Sequence, residues 1–163
     1  MEIRRAREED IGRICELLRQ VLDVHAAGRP DIFRAGTQKY SPADLLPILA
    51  DDGRPVFVSV GEDGTVTGYV FCVFRETRGS ANLCDRKELY IDDLCVDAAF
   101  RRAGVGTALY RFAAARAREA GCSAVTLNVW HLNPGALAFY EALGMRPLKT
   151  LMEERLFPEG TLS

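Results

Sequence analysis

The chain has 163 residues, 48% of them hydrophobic and 27% charged, a length that suits one compact domain of about 100 to 200 residues and a composition that excludes a disordered chain, a collagen-like repeat or a disulfide-stapled miniprotein. Lys and Arg total 21 against 23 Asp and Glu, for a formal net charge of -2; nucleic-acid binders neutralise phosphates with a basic excess, so no nucleic-acid partner is expected. No run of about 18 uncharged apolar residues is present to span a bilayer, and no membrane partner is expected.

Arg4, Arg5, Arg7, Glu8, Glu9 and Asp10 interrupt the amino terminus, so it lacks the apolar stretch of a secretory signal and a cytoplasmic location is expected. The five cysteines, Cys15, Cys72, Cys84, Cys95 and Cys122, are odd in number and scattered, with no C-x-x-C pair and only His25 and His131 as further soft ligands. Reduced thiols are expected, with neither a disulfide framework nor a metal site.

In chain order, a short strand β1 around Ile3 leads into helix α1, whose Ile11, Ile14, Leu17, Leu18, Val21 and Leu22 recur at helical spacing to about residue 26, with Asp10 as its cap. Gly28 to Tyr40 is too irregular for an element and long enough for a functional loop. Ser41, Pro42 and Asp44 open helix α2, with a capping serine, proline at the first helical position and an acid three residues after the cap. Strands β2 (Pro55 to Val60) and β3 (Thr65 to Phe74) form a hairpin across Gly61 to Gly64. Strand β4 is Glu88 to Val96. Val105, Leu109, Phe112, Ala113, Arg116 and Ala117 define helix α3, stopped at Gly121, and strand β5 is Ser123 to Val129. A strand, helix, strand crossover makes β4 and β5 parallel. Asn133 and Pro134 begin helix α4, which runs to Leu143 and ends at Gly144, and Leu148 to Phe157 reads as a last strand.

The segment richest in chemistry is Arg101, Arg102, Ala103, Gly104, Val105, Gly106 and Thr107, directly after β4 and at the start of α3. Unpaired N–H groups and the positive dipole end of a helix attract an anion, and glycines allow it to approach the backbone closely, so a diphosphate is the natural guest. A Walker A loop is excluded because no lysine follows Gly106, and a dinucleotide fingerprint because Leu109 stands where its third glycine belongs.

What remains, Arg-x-x-Gly-x-Gly after Leu94-Cys95-Val96-Asp97, resembles the acyl-coenzyme A loop of the GCN5-related N-acetyltransferase (GNAT) superfamily. Asn133-Pro134-Gly135-Ala136-Leu137-Ala138-Phe139-Tyr140-Glu141-Ala142-Leu143-Gly144-Met145 resembles its second signature, and the opening from Ile3 to Asp10 is similar to its first strand and helix. The resemblance is most specific from about Leu89 to Met145. It implies a single N-acetyltransferase domain over residues 1–163, an α/β (α+β) fold whose mixed, mostly antiparallel central sheet is flanked by helices, with β4 and β5 parallel and splayed.

It further implies acetyl coenzyme A as cosubstrate, no metal, and direct attack of a primary amine on the thioester. The pyrophosphate falls to Arg101 through Thr107, and the pantetheine arm to the backbone of Leu94, Cys95 and Val96 and to Asn133, which also caps α4. A β4 N–H aimed at the thioester oxygen would stabilise the developing oxyanion. Tyr140 matches the usual acid that protonates the leaving thiolate. The run Tyr90-Ile91-Asp92-Asp93-Leu94 resembles that of polyamine acetyltransferases and makes Asp92 the candidate base; strict strand alternation puts Glu88, Tyr90 and Asp92 on one face and Asp93 on the other.

Asn128 stands where some protein acetyltransferases carry a Glu, which favours a small-molecule amine acceptor, with Asp31, Asp92 and Asp93 supplying negative charge. Acetylation of protein amino termini or lysines, and a non-catalytic acyl coenzyme A sensor, are the alternatives. Cys95 lacks an activating partner and is not expected to act as a nucleophile. Trp130 and Phe33 serve either the core or an acceptor pocket. Family members often form homodimers, and Leu148 to Phe157 is a candidate partner surface.

Overall fold

The computed structural model describes residues 1–156. Its elements are β1 (Glu2–Arg5), α1 (Ile11–Gly28), α2 (Pro42–Ala50), β2 (Val56–Val60), β3 (Val66–Thr77), β4 (Arg86–Val96), α3 (Val105–Glu119), β5 (Ala124–Leu127) and α4 (Pro134–Ala142), with 3-10 turns at Glu8–Asp10 and Ala98–Phe100. The chain divides into two compact units, Met1–Asn128 and a second that begins at Val129.

In the first unit the five strands form one sheet in the order β1-β2-β3-β4-β5, antiparallel except for the parallel pair β4 and β5. Alternate residues of a strand face opposite sides, and both sides are apolar here. On one face α1 sets Ile11, Ile14, Leu17 and Leu18 against Val56, Val58, Tyr69, Phe71 and Cys95. On the other, Val105, Leu109, Ala113 and Ala117 of α3 cover Phe57, Val70, Cys72, Leu89 and Ile91. Closest approach is at Gly68 of β3. A Cβ there would lie 2.7 Å from the Cys95 carbonyl oxygen and 3.2 Å from Leu109 Cδ1, so only glycine lets β3 meet β4 and α3 at this point.

The capping box of α2 forms as expected: Ser41 Oγ accepts from the Asp44 N–H at 3.2 Å, and Asp44 Oδ2 accepts from the Ser41 N–H at 2.8 Å. Asp10 does not cap α1. Its carboxylate turns back to take two bonds from the Arg4 guanidinium, at 2.7 and 2.9 Å, and the Arg7 N–H at 2.8 Å. A bidentate cation outcompetes a backbone N–H for a carboxylate.

Two strand expectations are corrected. β5 ends at Leu127 rather than Val129, because its ladder with β4 stops at the pair Ile91 and Leu127. The expected strand from Leu148 forms no ladder as far as Leu156, and Phe157 lies outside the described residues. Leu151 and Met152 there are 96% and 83% exposed; an apolar pattern supplies a face for a strand, but pairing needs a neighbouring edge.

Candidate active site

β4 is paired with β3 along its whole length, but the register is not regular: Phe71 faces Asp93, the next residue Cys72 faces Ile91, and Asp92 is left without a partner. This is a β-bulge at Asp92, which bends β4 and reverses the facing of everything after it. Before the bulge Leu89 and Ile91 face α3; after it Leu94 and Val96 do so, while Cys95 faces α1. The expectation that Asp92 and Asp93 point to opposite faces is therefore overturned. Asp93 meets Tyr69, and Asp92 meets Tyr40, which stacks on Phe71 with ring centroids 5.6 Å apart. Both carboxylates lie on the α1 side of the sheet.

The bulge also marks where β5 lets go. From Asp92 to Val96, β4 keeps β3 on one edge and has no β5 residue on the other. Leu94, Cys95 and Val96, the backbone positions expected to receive an extended ligand, lie in this stretch, and an open strand edge offers unpaired N–H and C=O groups to an amide-bearing chain.

The carboxylate pair is held asymmetrically. Asp92 Oδ2 accepts from Lys39 Nζ at 2.7 Å and from Tyr40 Oη at 3.0 Å, so the loop between α1 and α2 supplies a cation and a hydroxyl to one oxygen. Burial is the largest single influence and works against the Lys39 charge, but the bond to Asp92 and the negative charges of Asp92 and Asp93 together outweigh it and hold the ammonium pKa above its usual value. Asp93 accepts from Tyr69 Oη at 3.0 Å. Burial pushes its carboxyl up to about 6, with Asp92 adding to the rise, while the Tyr69 hydroxyl, Lys39 and the Leu94 N–H pull it back. A carboxyl in that range both accepts and releases a proton near neutrality.

Beyond β4, Asp97 organises the entry to α3. Oδ1 caps the 3-10 turn by accepting from the Ala99 N–H at 2.8 Å, Oδ2 is paired with the Arg13 guanidinium of α1, and the Asp97 N–H donates to the Thr67 carbonyl at 2.9 Å. The Ala99 bond is the chief cause that holds the Asp97 carboxyl below its ordinary range, with Arg13 adding to it. Arg101 folds back on the strand, Nε donating to the Val96 carbonyl at 3.4 Å. Arg102 then takes φ +64° and Gly104 φ +80°, left-handed conformations at alternating positions, of the kind found in backbone turns that bind anions. α2 and α4 have side-chain caps, from Ser41 and Asn133; α3 begins at Gly104, which has no side chain to offer. A Cβ at Gly104 would meet nothing within 4 Å. The first turn of a helix leaves its N–H groups without intrahelical carbonyl partners, here at Val105, Gly106 and Thr107, and such groups suit a phosphate.

The second unit carries the other two expected residues. Asn133 Oδ1 accepts from the Ala136 N–H at 3.0 Å and caps α4. Tyr140 is half-buried beside Phe139, their rings edge-to-face at 4.9 Å, and its carbonyl accepts from the Met145 N–H. In the first unit Asn128 Nδ2 donates to Tyr90 Oη at 3.0 Å. Burial pushes the Cys95 thiol up to about 12, the state of an inert thiol. Among the described residues no cluster of His, Cys, Asp and Glu could hold a metal ion, and no helix is long and apolar enough to cross a membrane.

Lys39, Tyr40, Tyr69 and Arg13 are site components that sequence reasoning missed. Lys39 and Tyr40 lie 52 or more residues from Asp92 in a loop without periodicity. The one local signal was the adjacent acids in β4, since a regular strand covered by helices on both faces would have to bury one of them.

Three comparisons bear on this arrangement. The model of the acetyltransferase (GNAT) family matches residues 6–145. A thialysine N-epsilon-acetyltransferase from Bos taurus is 28% identical over 156 residues, covering 90% of this chain and 84% of that protein. Among solved structures, a mutant of the BH1408 protein from Bacillus halodurans superposes with a TM-score of 0.93 at 31% identity, covering 96% of this chain and all of that one. An aminoglycoside N-acetyltransferase in complex with CoA superposes with a TM-score of 0.71 at 16% identity, covering 96% of this chain and 100% of that one, a likeness of fold.

Proposed function

Because the chain belongs to the acetyltransferase (GNAT) family and is an N-acetyltransferase, we propose that it moves an acetyl group from acetyl coenzyme A to the primary amine of a small cationic molecule. One observation carries the choice of acceptor. Asp92, the first residue of β4 beyond its ladder with β5, already holds an alkylammonium, that of Lys39, at 2.7 Å. The relative from Bos taurus is named for acetylating the side-chain amine of thialysine, which is an amine of the same kind.

The residues present suit the donor. The N–H groups from Arg102 to Thr107 and the charges of Arg101 and Arg102 would hold the pyrophosphate, and the open edge of Leu94, Cys95 and Val96 would hold the pantetheine arm. The thioester supplies an activated acetyl group; the protein supplies alignment and proton handling. Asp92 and Tyr40 receive the acceptor as its ammonium. Its proton passes to the carboxylate pair, where Asp93, raised to about 6 by burial, is a better acceptor than an ordinary carboxylate. The neutral nitrogen then attacks the thioester carbonyl and forms the carbon to nitrogen bond; the carbon to sulfur bond breaks, the thiolate takes the Tyr140 proton, and the second proton of the attacking nitrogen returns to the Tyr140 phenolate, leaving a neutral amide.

The test is thiol release from acetyl coenzyme A with aliphatic diamines, amino acids, aminoglycosides and lysine peptides as acceptors. Release with small amines, and an acceptor KM raised at least tenfold by Asp92→Asn, are the expected results. Release with peptides alone would reassign the enzyme to protein substrates, and cofactor binding without release on any acceptor would make it a sensor.

A further inference from the structure

Lys39 does more than neutralise Asp92. We infer that its ammonium is the chain's own occupant of the acceptor subsite, a built-in competitor that an incoming amine must displace before transfer can occur. This rests on the reading of Asp92 as the acceptor's anchor.

The chemistry of the two occupants is the same. Lys39 presents a primary alkylammonium on a flexible stem, and Asp92 Oδ2 binds it at 2.7 Å while Tyr40 Oη donates to the same oxygen at 3.0 Å. The ammonium also lies 5.4 Å from the centroid of the Tyr40 ring, which is itself stacked on Phe71. A second cation cannot share that oxygen without like-charge repulsion, so substrate and Lys39 exclude one another.

The occupant is also free to leave. The Lys39 side chain is 41% exposed and that of Asp92 22%. Lys39 lies in a loop without helix or strand, so its departure breaks no ladder. Half-exposed ion pairs are modest in strength, so the lysine occupies the subsite most of the time rather than permanently. A ligand competing for such a site shows an affinity reduced by the fraction of time the site stands open. Asp92 helps to hold Lys39 in its charged form, the form that competes with an incoming ammonium.

The experiment compares the wild type with Lys39→Met, which keeps the stem and removes the charge, and Lys39→Arg, which keeps a cation. Steady-state kinetics with an aliphatic monoamine give KM and kcat, and calorimetry with 1,4-diaminobutane gives affinity without any turnover. Measured well above the pH limb of Asp93, whose carboxyl Lys39 helps to hold down, the Met variant is expected to lower both KM and Kd by about 3- to 10-fold with kcat changed less than about twofold, and the Arg variant to stay near the wild type.

An unchanged or raised KM and Kd in the Met variant, with wild-type turnover intact, would overturn the competitor role and leave the reaction standing. A rise in KM confined to amino-acid acceptors would also overturn it and make Lys39 a carboxylate anchor. An acetyl group found on Lys39 by mass spectrometry would overturn it by making the lysine a substrate. If neither protein binds the diamine nor releases thiol, the amine-transfer reading fails and the competitor role with it.

Discussion

Tyr69 Oη donates to Asp93 Oδ2 at 3.0 Å from beneath the α1 face of the sheet, and the two groups share a fate. Burial drives the phenol well above its ordinary pKa and pushes the carboxyl up to about 6. Tyr69 therefore remains a donor through the range in which Asp93 titrates, and Asp93 is the member of the pair that changes charge near neutrality.

Asp93→Asn tests both consequences of that titration. The raised carboxyl binds a proton more tightly in the folded than in the unfolded protein, so its contribution to stability is complete below its ordinary value of 3.8 and is lost as pH rises through about 6. Asparagine does not titrate. Between about pH 4 and about pH 8 the wild type should lose on the order of 2 kcal/mol relative to the variant, measured by denaturant unfolding. Acetyl transfer should rise with pH through about 6 in the wild type, with Lys39, Asp92 and Tyr69 as the charged and titratable neighbours of Asp93; the variant should lose that limb and most of kcat. A wild-type profile flat across this range would remove Asp93 from the proton path.

Tyr69→Phe removes the hydrogen bond that lowers the Asp93 pKa, so the acid limb should move to higher pH. Leaving a buried carboxylate short of a donor costs about 1–3 kcal/mol. The pH–rate profile separates this shift from a simple loss of stability, which would lower activity at all pH values alike.

Gly104→Ala probes the turn before α3. The backbone has φ +80° there and a Cβ meets no protein atom, so the folded state should lose only about 1–2 kcal/mol from the left-handed conformation. Calorimetric affinity for acetyl coenzyme A should fall at least tenfold, because the methyl group enters the space assigned to the phosphates. Unchanged affinity would place the pyrophosphate elsewhere.

Asp97→Ala removes the cap of the 3-10 turn and the pair with Arg13, which keeps its bond to Glu16 at 2.7 Å. The two losses together should cost about 1–3 kcal/mol in thermal or denaturant unfolding. KM for acetyl coenzyme A should rise more than KM for the amine, because the loosened segment leads into the turn proposed for the pyrophosphate and not into the carboxylate pair.

Gly68→Ala should destabilise by about 1–3 kcal/mol. Its Cβ would stand 2.7 Å from the Cys95 carbonyl oxygen, a backbone atom that moves only if β4 moves. Transfer activity should fall with stability, since that shift displaces the open strand edge.

The chain's order of residues was enough to determine its family and most of its architecture. The glycine and arginine turn at the start of α3, the Asn133 to Met145 signature and the apolar periodicity of α1 and α3 are local patterns, and local patterns specify helices, caps and a crossover that forces β4 and β5 to be parallel. The capping box at Ser41 and Asp44 was legible for the same reason, every partner being within three residues.

Only the tertiary structure decided the acid pair. A bulge depends on the register between β3 and β4, which a single strand's alternation does not encode, and it is the bulge that turns Asp92 and Asp93 to one face, at the point where the ladder with β5 stops. The partners of those acids come from distant parts of the chain, Lys39 and Tyr40 from a loop without pattern and Tyr69 from the neighbouring strand. Charge and hydrogen bonding between such residues exist only after folding, so the field that tunes the carboxylates belongs to the fold and not to the motif.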